Sequence, residues 1–514
     1  MDSSDQASQS SRPCMPRRKF IKDCVAGAAG ASALGTLCGS GLALGDRPSP
    51  MRPNILYIHS HDTGRHIQPY GYDVETPHLQ RLAEQGILFR QAYAAACVCS
   101  PSRASLLTGM YPHSNGMLGL AHLGFSLNDY HQHLLWTLRR SAGYYSALIG
   151  LQHIAKDPNV IGYDKVQEFP GNHVEQVAPA AADFLKNLPK QPFFLNVGFF
   201  ETHRSFRNPG PDEQPRFTKP AHTLPDTPET RADMAGLKAS IRALDWGMGV
   251  VLKALEDNHL ADNTLVIATT DHGISMPHMK CFLYDGGIEV RLIIRGPGGF
   301  EGGNICESLI SQVDLFPSLC DLLQIEPPGW LQGKSILPVL HPFLPGHHPG
   351  ATFENKHYSP STRKVTTVTE SVPRIMEVRD EVFAENNFIV AYEPVRAVRT
   401  RRWKYIRHFG DRRRPVLCNT EDSPSKQVWM DYGWAERVVP KEELYDLLFD
   451  PNETSNRTED PAALDALKEM RGRLDRWMHA TNDPLLKGPI EPPCGAIINF
   501  PDDISPTDHV EKVS

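Results

Sequence analysis

Cysteine is scarce in this chain: ten occur in 514 residues, and three of them, Cys14, Cys24 and Cys38, fall within the first fifty. The other seven, at 97, 99, 281, 306, 320, 418 and 494, are irregularly spaced and contain no pair of Cys-x-x-Cys units, which excludes a zinc-ribbon type of site. There is no surplus of positive charge either. Lys plus Arg number 53 against 60 Asp plus Glu, a net charge of −7 that argues against a nucleic-acid partner and requires any anion recognition to be local. Beyond the N-terminal segment no apolar run is long enough to span a bilayer, so no stable membrane insertion is expected, and no internal repeat is visible.

What remains is an ordinary globular composition, 40% hydrophobic and 22% charged, long enough for a large core. Residues 1–50 read as an export signal and linker. Pro16-Arg17-Arg18-Lys19-Phe20-Ile21-Lys22 precedes a small-residue, weakly apolar run from Val25 to Leu44, the twin-arginine arrangement of bacterial proteins exported already folded. Leu37 immediately before Cys38 spoils a lipid-anchor motif. The expected location is therefore periplasmic or extracellular.

From Pro53 onward strand and helix signals alternate, which predicts an α/β fold: a large, mostly parallel central sheet flanked by helices, over residues 51–378. Strands are expected at Asn54–His59, Tyr144–Gly150, Pro192–Phe200 and Thr264–Thr269, and helices at Pro77–Gly86, after Gly109, at His131–Ala142 and at Glu229–Asp257. Leu237, Ile241, Leu244, Met248, Val251 and Leu255 form a packing stripe on the last of these. A smaller α+β domain is expected over 379–485, with strand signals at Val395–His408 and Glu443–Leu448 and a helix at Pro461–Met478. An extended Pro- and Asp-rich tail is expected at 486–514.

The four predicted strands end in His61-Asp62, His153, His203 and Asp271-His272, which delivers acids and imidazoles to one edge of a sheet, where open α/β folds place ligands. Asp62, Asp271 and His272 can together hold a hard divalent cation. Between the first two predicted strands lies Cys97-Val98-Cys99-Ser100-Pro101-Ser102-Arg103-Ala104-Ser105-Leu106-Leu107-Thr108-Gly109, a loop feeding a helix N-terminus. Backbone N–H groups there favour an anion, and Arg103 adds a planar fork of donors. Read without further context, Cys97 and Cys99 are equally well a buried pair or disulfide partners.

That same stretch resembles the signature of the type I, formylglycine-dependent sulfatases: Cys-x-Pro-x-Arg, then an apolar pair and Thr-Gly. The resemblance implies an alkaline-phosphatase-like fold and a formylglycine made from Cys99 by a formylglycine-generating enzyme. It also implies a divalent metal, usually calcium, held by Asp62, Asp271, His272 and the modified Cys99. His61 stands where the family has the first acid of an Asp-Asp pair; this lowers the charge at the metal and leaves a softer or smaller divalent ion open. By the same resemblance Arg103, His153, His203 and Lys280 are catalytic: His153 at the formylglycine diol, His203 and Lys280 at the sulfate and leaving group. A family lysine is missing at Leu151, for which Arg65 or Arg204 is a candidate substitute. Val395–Thr400 and Glu443–Leu447 resemble the family's C-terminal domain, and Cys99–Leu120 is most similar to the heparan N-sulfatase (sulfamidase) subgroup. The implied activity is hydrolysis of sulfate esters or N-sulfate of a carbohydrate. Phosphate or phosphonate monoester hydrolysis on the same scaffold, and a catalytically weak glycan-binding homologue, are the alternatives. Oligomeric state is not legible.

Overall fold

The computed structural model describes residues 52–343, 351–359, 364–372 and 376–513, with side chains described outside 341–375; the expected export signal lies outside these residues. Residues from Pro50 onward form one compact unit. Its centre is an eight-stranded sheet made of β1 (Asn54–Ser60), β2 (Ile87–Tyr93), β3 (Tyr145–Gly150), β4 (Lys165–Gln167), β5 (Phe193–Gly198), β6 (Thr264–Thr270), β7 (Leu292–Arg295) and β8 (Asn304–Ser311). The strand order is β4-β3-β5-β1-β6-β7-β2-β8, parallel throughout except that β7 runs against both neighbours.

The strands are apolar on both faces because both are covered. In β1, Ile55 and Tyr57 enter one core with Leu106, Leu107, Leu134 and Phe316, whereas Leu56 and Ile58 enter the other with Leu79, Leu82, Val177 and Leu244. The covering helices are α1 (Pro77–Gln85), α2 (Cys99–Thr108), α4 (Leu134–Ala142), α5 (Val174–Lys186), α6 (Pro228–Asp257) and α8 (Leu315–Leu322); α3 (Pro112–Asn115) and α7 (Asp285–Ile288) are single turns. Helix α6 begins with Pro228 behind a Thr227 cap whose hydroxyl accepts from the Thr230 N–H. All six residues of its predicted stripe are buried. Each such aliphatic side chain contributes roughly 1.5–3 kcal/mol.

A second, antiparallel sheet, β11 (Val382–Phe388), β12 (Tyr392–Arg399), β13 (Trp403–His408) and β14 (Glu442–Asp446), follows a hairpin of β9 (Ala351–Ser359) and β10 (Lys364–Val372). Its one face packs through Phe383, Val398, Tyr405 and Leu444 on Leu467, Met470, Leu474 and Trp477 of the C-terminal helix Leu464–Ala480. The other packs through Ala384, Val395, Ala397 and Ile406 on Tyr93 and Leu309 of the main sheet.

Three sequence expectations are corrected. The strand signal at Val395–His408 is two strands, reversed where the Thr400 N–H donates to the Trp403 carbonyl at 2.8 Å. The helix expected after Gly109 is only the single turn α3; the ten-residue helix α2 lies before it, with Gly109, at φ 67°, as its left-handed cap. The tail is not extended. Strands β15 (Ile497–Asn499) and β16 (Val510–Lys512) pair, Ala496 is fully buried, and the Asn499 N–H donates to the Val390 carbonyl at 2.7 Å.

Candidate active site

Strands β1 and β6 are neighbours in parallel register, Ser60 opposite Thr270, so the residues that follow them arrive side by side. The Asp62 N–H donates to Asp271 Oδ1 at 2.9 Å, and the His272 N–H to the same oxygen at 3.0 Å, which locks the two strand ends together. Asp62 is left-handed, φ 52°. Gly273 has no substitute: a Cβ there would stand 1.9 Å from the Gly286 carbonyl oxygen.

Helix α2 starts at Cys99 and points its first turn at this junction. Cys99 is a free, buried thiol, which decides against the disulfide reading, with Sγ 3.4 Å from His272 Nε2, 3.8 Å from His61 Nδ1 and 3.9 Å from Asp62 Oδ1. Burial, the largest cause, pushes its pKa well up.

Arg103, one turn on and fully buried, does not hold its fork free for a ligand. Its Nη2 donates to Asp271 Oδ2 at 2.9 Å and to the Ser60 carbonyl at 3.0 Å, and its Nη1 donates to His59 Nδ1. Only its Nε–H is buried without a partner. Because Nδ1 of His59 must accept, its proton sits on Nε2 and is donated to Asn196 Oδ1 at 2.8 Å. Burial and then the guanidinium hold His59 neutral, its pKa well below the usual range.

On the open side, Lys280 Nζ donates to Asp62 Oδ2 at 2.6 Å and to Glu421 Oε1 at 2.9 Å. Burial alone would lower its pKa, but these two carboxylates raise it well above the ordinary lysine value. His203 donates Nδ1–H to the Arg204 carbonyl at 2.7 Å and turns Nε2 to Glu421 at 3.0 Å. Burial and the Lys280 ammonium oppose its charged form; Asp62 and Glu421 outweigh them and raise its pKa. His153, left-handed at φ 59°, stacks on His122 with Nε2 and Nδ1 2.9 Å apart and its ring centroid 5.6 Å from that of His61. Burial, then the neighbouring His61 and His122, lower its pKa strongly, and its Nδ1 is buried without a partner.

The predicted residues His61, Asp62, Cys99, Asp271 and His272 thus form one buried cluster whose ligand atoms lie within 4.8 Å of one another, with Lys280 and His203 at its edge. Burial foremost lowers the His61 pKa, to about 4, and the surrounding cations hold both carboxyls well below the carboxylate range despite burial. The substitutes considered for the lysine missing at Leu151 are elsewhere employed. Arg204 forks onto Asp233 at 2.6 and 2.7 Å, and Arg65 pairs with Glu289 and the Arg90 carbonyl. Three residues of the site escaped the sequence reading: His59, Glu421 and His122. His59 lay inside an apolar strand run, and Glu421 and His122 belong to no motif.

The sequence model described as Sulfatase matches residues 53–325, more than half of the chain. The chain belongs to the sulfatase family. As such it is a sulfuric ester hydrolase. It is 29% identical to an ulvan-active sulfatase of Formosa agariphila over 84% of this chain and 76% of that one. To human N-sulphoglucosamine sulphohydrolase it is 28% identical, over 85% and 92%. Among solved structures it resembles a protein in complex with its substrate D-glucosamine-2-N,6-O-disulfate (TM-score 0.61, 20% identity, 84% of this chain and 98% of that one). It also resembles the phosphonate monoester hydrolase of Agrobacterium radiobacter (TM-score 0.60, 21% identity, 86% and 100%). The large, mostly parallel sheet with flanking helices is of the alkaline-phosphatase-like kind, as expected from the sequence. Among the described residues no helix is long and apolar enough to cross a membrane.

Proposed function

We propose that this sulfatase removes sulfate from a carbohydrate, as an O-sulfate ester or an N-sulfate, using a formylglycine made from Cys99 and one divalent cation. The observation that carries the reading is the position of Cys99 at the start of α2, 3.4 Å from His272 and inside the ring of Asp62, Asp271 and His61. Resemblance to the glucosamine N-sulfatase and to the ulvan-active enzyme supports a sulfated sugar as substrate. Maturation by a formylglycine-generating enzyme before export to the periplasm or beyond follows from Cys-x-Pro-x-Arg and the paired arginines.

Formylglycine supplies a hydrated aldehyde as nucleophile toward sulfur. A divalent cation held by His61, Asp62, Asp271 and His272 supplies polarisation of a sulfate oxygen. The residues present fit both groups: carboxylate oxygens and imidazole nitrogens converge on one point, and position 99 faces it. The chain's own groups do the rest. Arg103, fixed by His59, Ser60 and Asp271, holds the Asp271 carboxylate in place and leaves its Nε–H for position 99. Lys280 Nζ binds the anionic sulfate oxygens and offsets the charge they gain. His203, its charged form sustained by Glu421, gives its Nε2 proton to the departing alcohol or amine. His153, whose Nδ1 is buried without a partner, is the imidazole that the sulfatase resemblance assigns to the position-99 side. A cavity of about 470 Å³ opens at His203 between Phe200, His173, Glu201 and Arg207, within the range of ligand sites.

The test combines mass analysis of the peptide carrying position 99 with sulfate release from defined O- and N-sulfated saccharides. The phosphonate hydrolase fold likeness supports a second reading, phosphate or phosphonate monoester hydrolysis at the same groups. Rates on the sulfate and phosphate esters of one alcohol separate the two, and the proposal requires the sulfate ester to be the faster. A protein that binds sulfated glycan tightly yet releases no sulfate would fit the binding homologue instead.

A further inference from the structure

We infer that the metal site of this sulfatase selects an imidazole-accepting ion of the zinc class over calcium. The inference rests on the proposed function only for placing the metal at Cys99; the donor geometry argues the rest.

The decisive residue is His272. Its Nδ1 stands 3.0 Å from the Gly273 carbonyl, an oxygen that can only accept, so Nδ1 carries a proton. Its Nε2 is thereby turned into the cluster, 3.2 Å from Asp62 Oδ1, 3.7 Å from Asp271 Oδ2 and 3.4 Å from the Cys99 sulfur. With Nδ1 so committed, Nε2 is the nitrogen that faces the two carboxylates in a fully buried place, where a proton or a metal cation between them satisfies both sides. The backbone carbonyl behind the ring is the usual device that fixes a metal-binding histidine. His61 contributes a second nitrogen, Nδ1, 3.4 Å from Asp271 Oδ2 and 3.8 Å from the Cys99 sulfur. These spacings match the roughly 3.4 Å edge of a tetrahedron with bonds of about 2.1 Å, the geometry of zinc with nitrogen and oxygen ligands. The shorter His61 Nδ1–Asp62 Oδ1 distance, 2.6 Å, is a hydrogen bond that metal entry would replace.

Calcium is poorly served here for two reasons. It takes six to eight oxygens, and the site offers about one more oxygen from each of two carboxylates, Asp62 Oδ1 beside His61 and Asp271 Oδ2 beside Arg103. Asp62 Oδ2 is occupied by Lys280, and Asp271 Oδ1 by two backbone N–H groups. A hard cation is also held chiefly by net negative charge, and that charge is already balanced, Asp271 by Arg103 at 2.9 Å and Asp62 by Lys280 at 2.6 Å. What is left to bind a dication is the pair of imidazole lone pairs, which favour zinc, cobalt or nickel over calcium.

The experiment uses the full exported chain, first as purified and then stripped with chelator and reloaded. Metal content of the purified protein, thermal shift on adding zinc or calcium alone, and the visible spectrum with cobalt(II) are read without any activity assay. Expected are a zinc-class ion at one per chain, and a rise in melting temperature with stoichiometric zinc that millimolar calcium does not reproduce. Cobalt bands of a four- or five-coordinate nitrogen site are also expected. His272→Asn should weaken zinc binding by at least about 100-fold, because it removes a ligand, where loss of a group that only orients a ligand already costs about 10–100-fold. Cys99→Ala should keep the zinc preference, since the imidazoles carry it. The inference is overturned by one calcium per purified chain, by calcium stabilising the stripped protein as well as zinc does, by neither ion binding, or by a zinc preference that vanishes in Cys99→Ala. Failure of sulfate release with zinc binding intact would instead count against the proposed reaction and leave the metal inference standing.

Discussion

Replacing Glu421 by Gln removes one negative charge and keeps the shape of the side chain. In the wild type its Oε1 is 3.0 Å from His203 Nε2 and 2.9 Å from Lys280 Nζ, and both the His203 and Glu421 side chains are 24% exposed, so solvent screens the pair only in part. A hydrogen bond to a charged partner is worth roughly 1.5–3 kcal/mol. At about 1.36 kcal/mol per pKa unit, its loss lowers the His203 pKa by about 1–2 units. The sign is set by which form works. His203 acts as a proton donor, and its pKa is raised in the folded protein, so its imidazolium persists above the ordinary histidine range and is lost as pH rises through the raised value. Glu421→Gln should therefore move the alkaline limb of the kcat profile toward acid by about 1–2 units. Sulfate release from a defined saccharide between pH 5 and pH 10, with the melting temperature measured alongside, is the assay. A folded variant whose alkaline limb stays in place would refute the role given to the His203–Glu421 pair.

Four further outcomes follow from the same geometry. Cys99→Ala should abolish sulfate release while leaving the fold intact, because the residue makes no covalent link and its loss is read directly by circular dichroism. His59→Leu should leave Arg103 Nη1 unpaired in a buried site, lowering stability by about 1–3 kcal/mol in denaturant titration and lowering kcat more than it raises KM. Arg204→Met should destabilise the protein by about 3–5 kcal/mol, because it strands the buried Asp233 carboxylate; its kcat/KM, measured below the unfolding transition, should change far less than in Lys280→Met. Leu151→Lys, which restores the lysine that the sulfatase resemblance expects at this position, should raise kcat; an unchanged or lower rate would show that this site works without that charge.

Much of the fold was legible because parallel strands buried on both faces read as unbroken apolar runs, and because their polar ends fall at one edge. Asn54–His59 and Thr264–Thr269 are of this kind, and their register brings Asp62 to Asp271. Partners from distant parts of the chain left no such trace. Lys280 and Glu421 are 141 residues apart in sequence, and Glu421 sits in a connecting stretch with no periodicity to place it. His59 was hidden for the opposite reason: strand periodicity marks it as core, and only the Arg103 side chain that reaches it reveals its hydrogen-bonding duty. The tail misled because its prolines and aspartates read as extended chain. In the structure Asp503 accepts the Phe500 N–H and Asp508 accepts those of Ile504 and Ser505, so the same aspartates close turns that fold the segment back. Arg65 and Arg204 show how charge counted along a sequence overstates what reaches a site, since Glu289 and Asp233 claim them first.

The most direct test of the account correlates the fraction of chains that carry formylglycine at position 99, by mass spectrometry of the peptide, with the rate of sulfate release across preparations made with and without the maturing enzyme. The account predicts a rate proportional to the converted fraction and none from chains that keep Cys99 as a thiol. Full activity from wholly unconverted protein would contradict it.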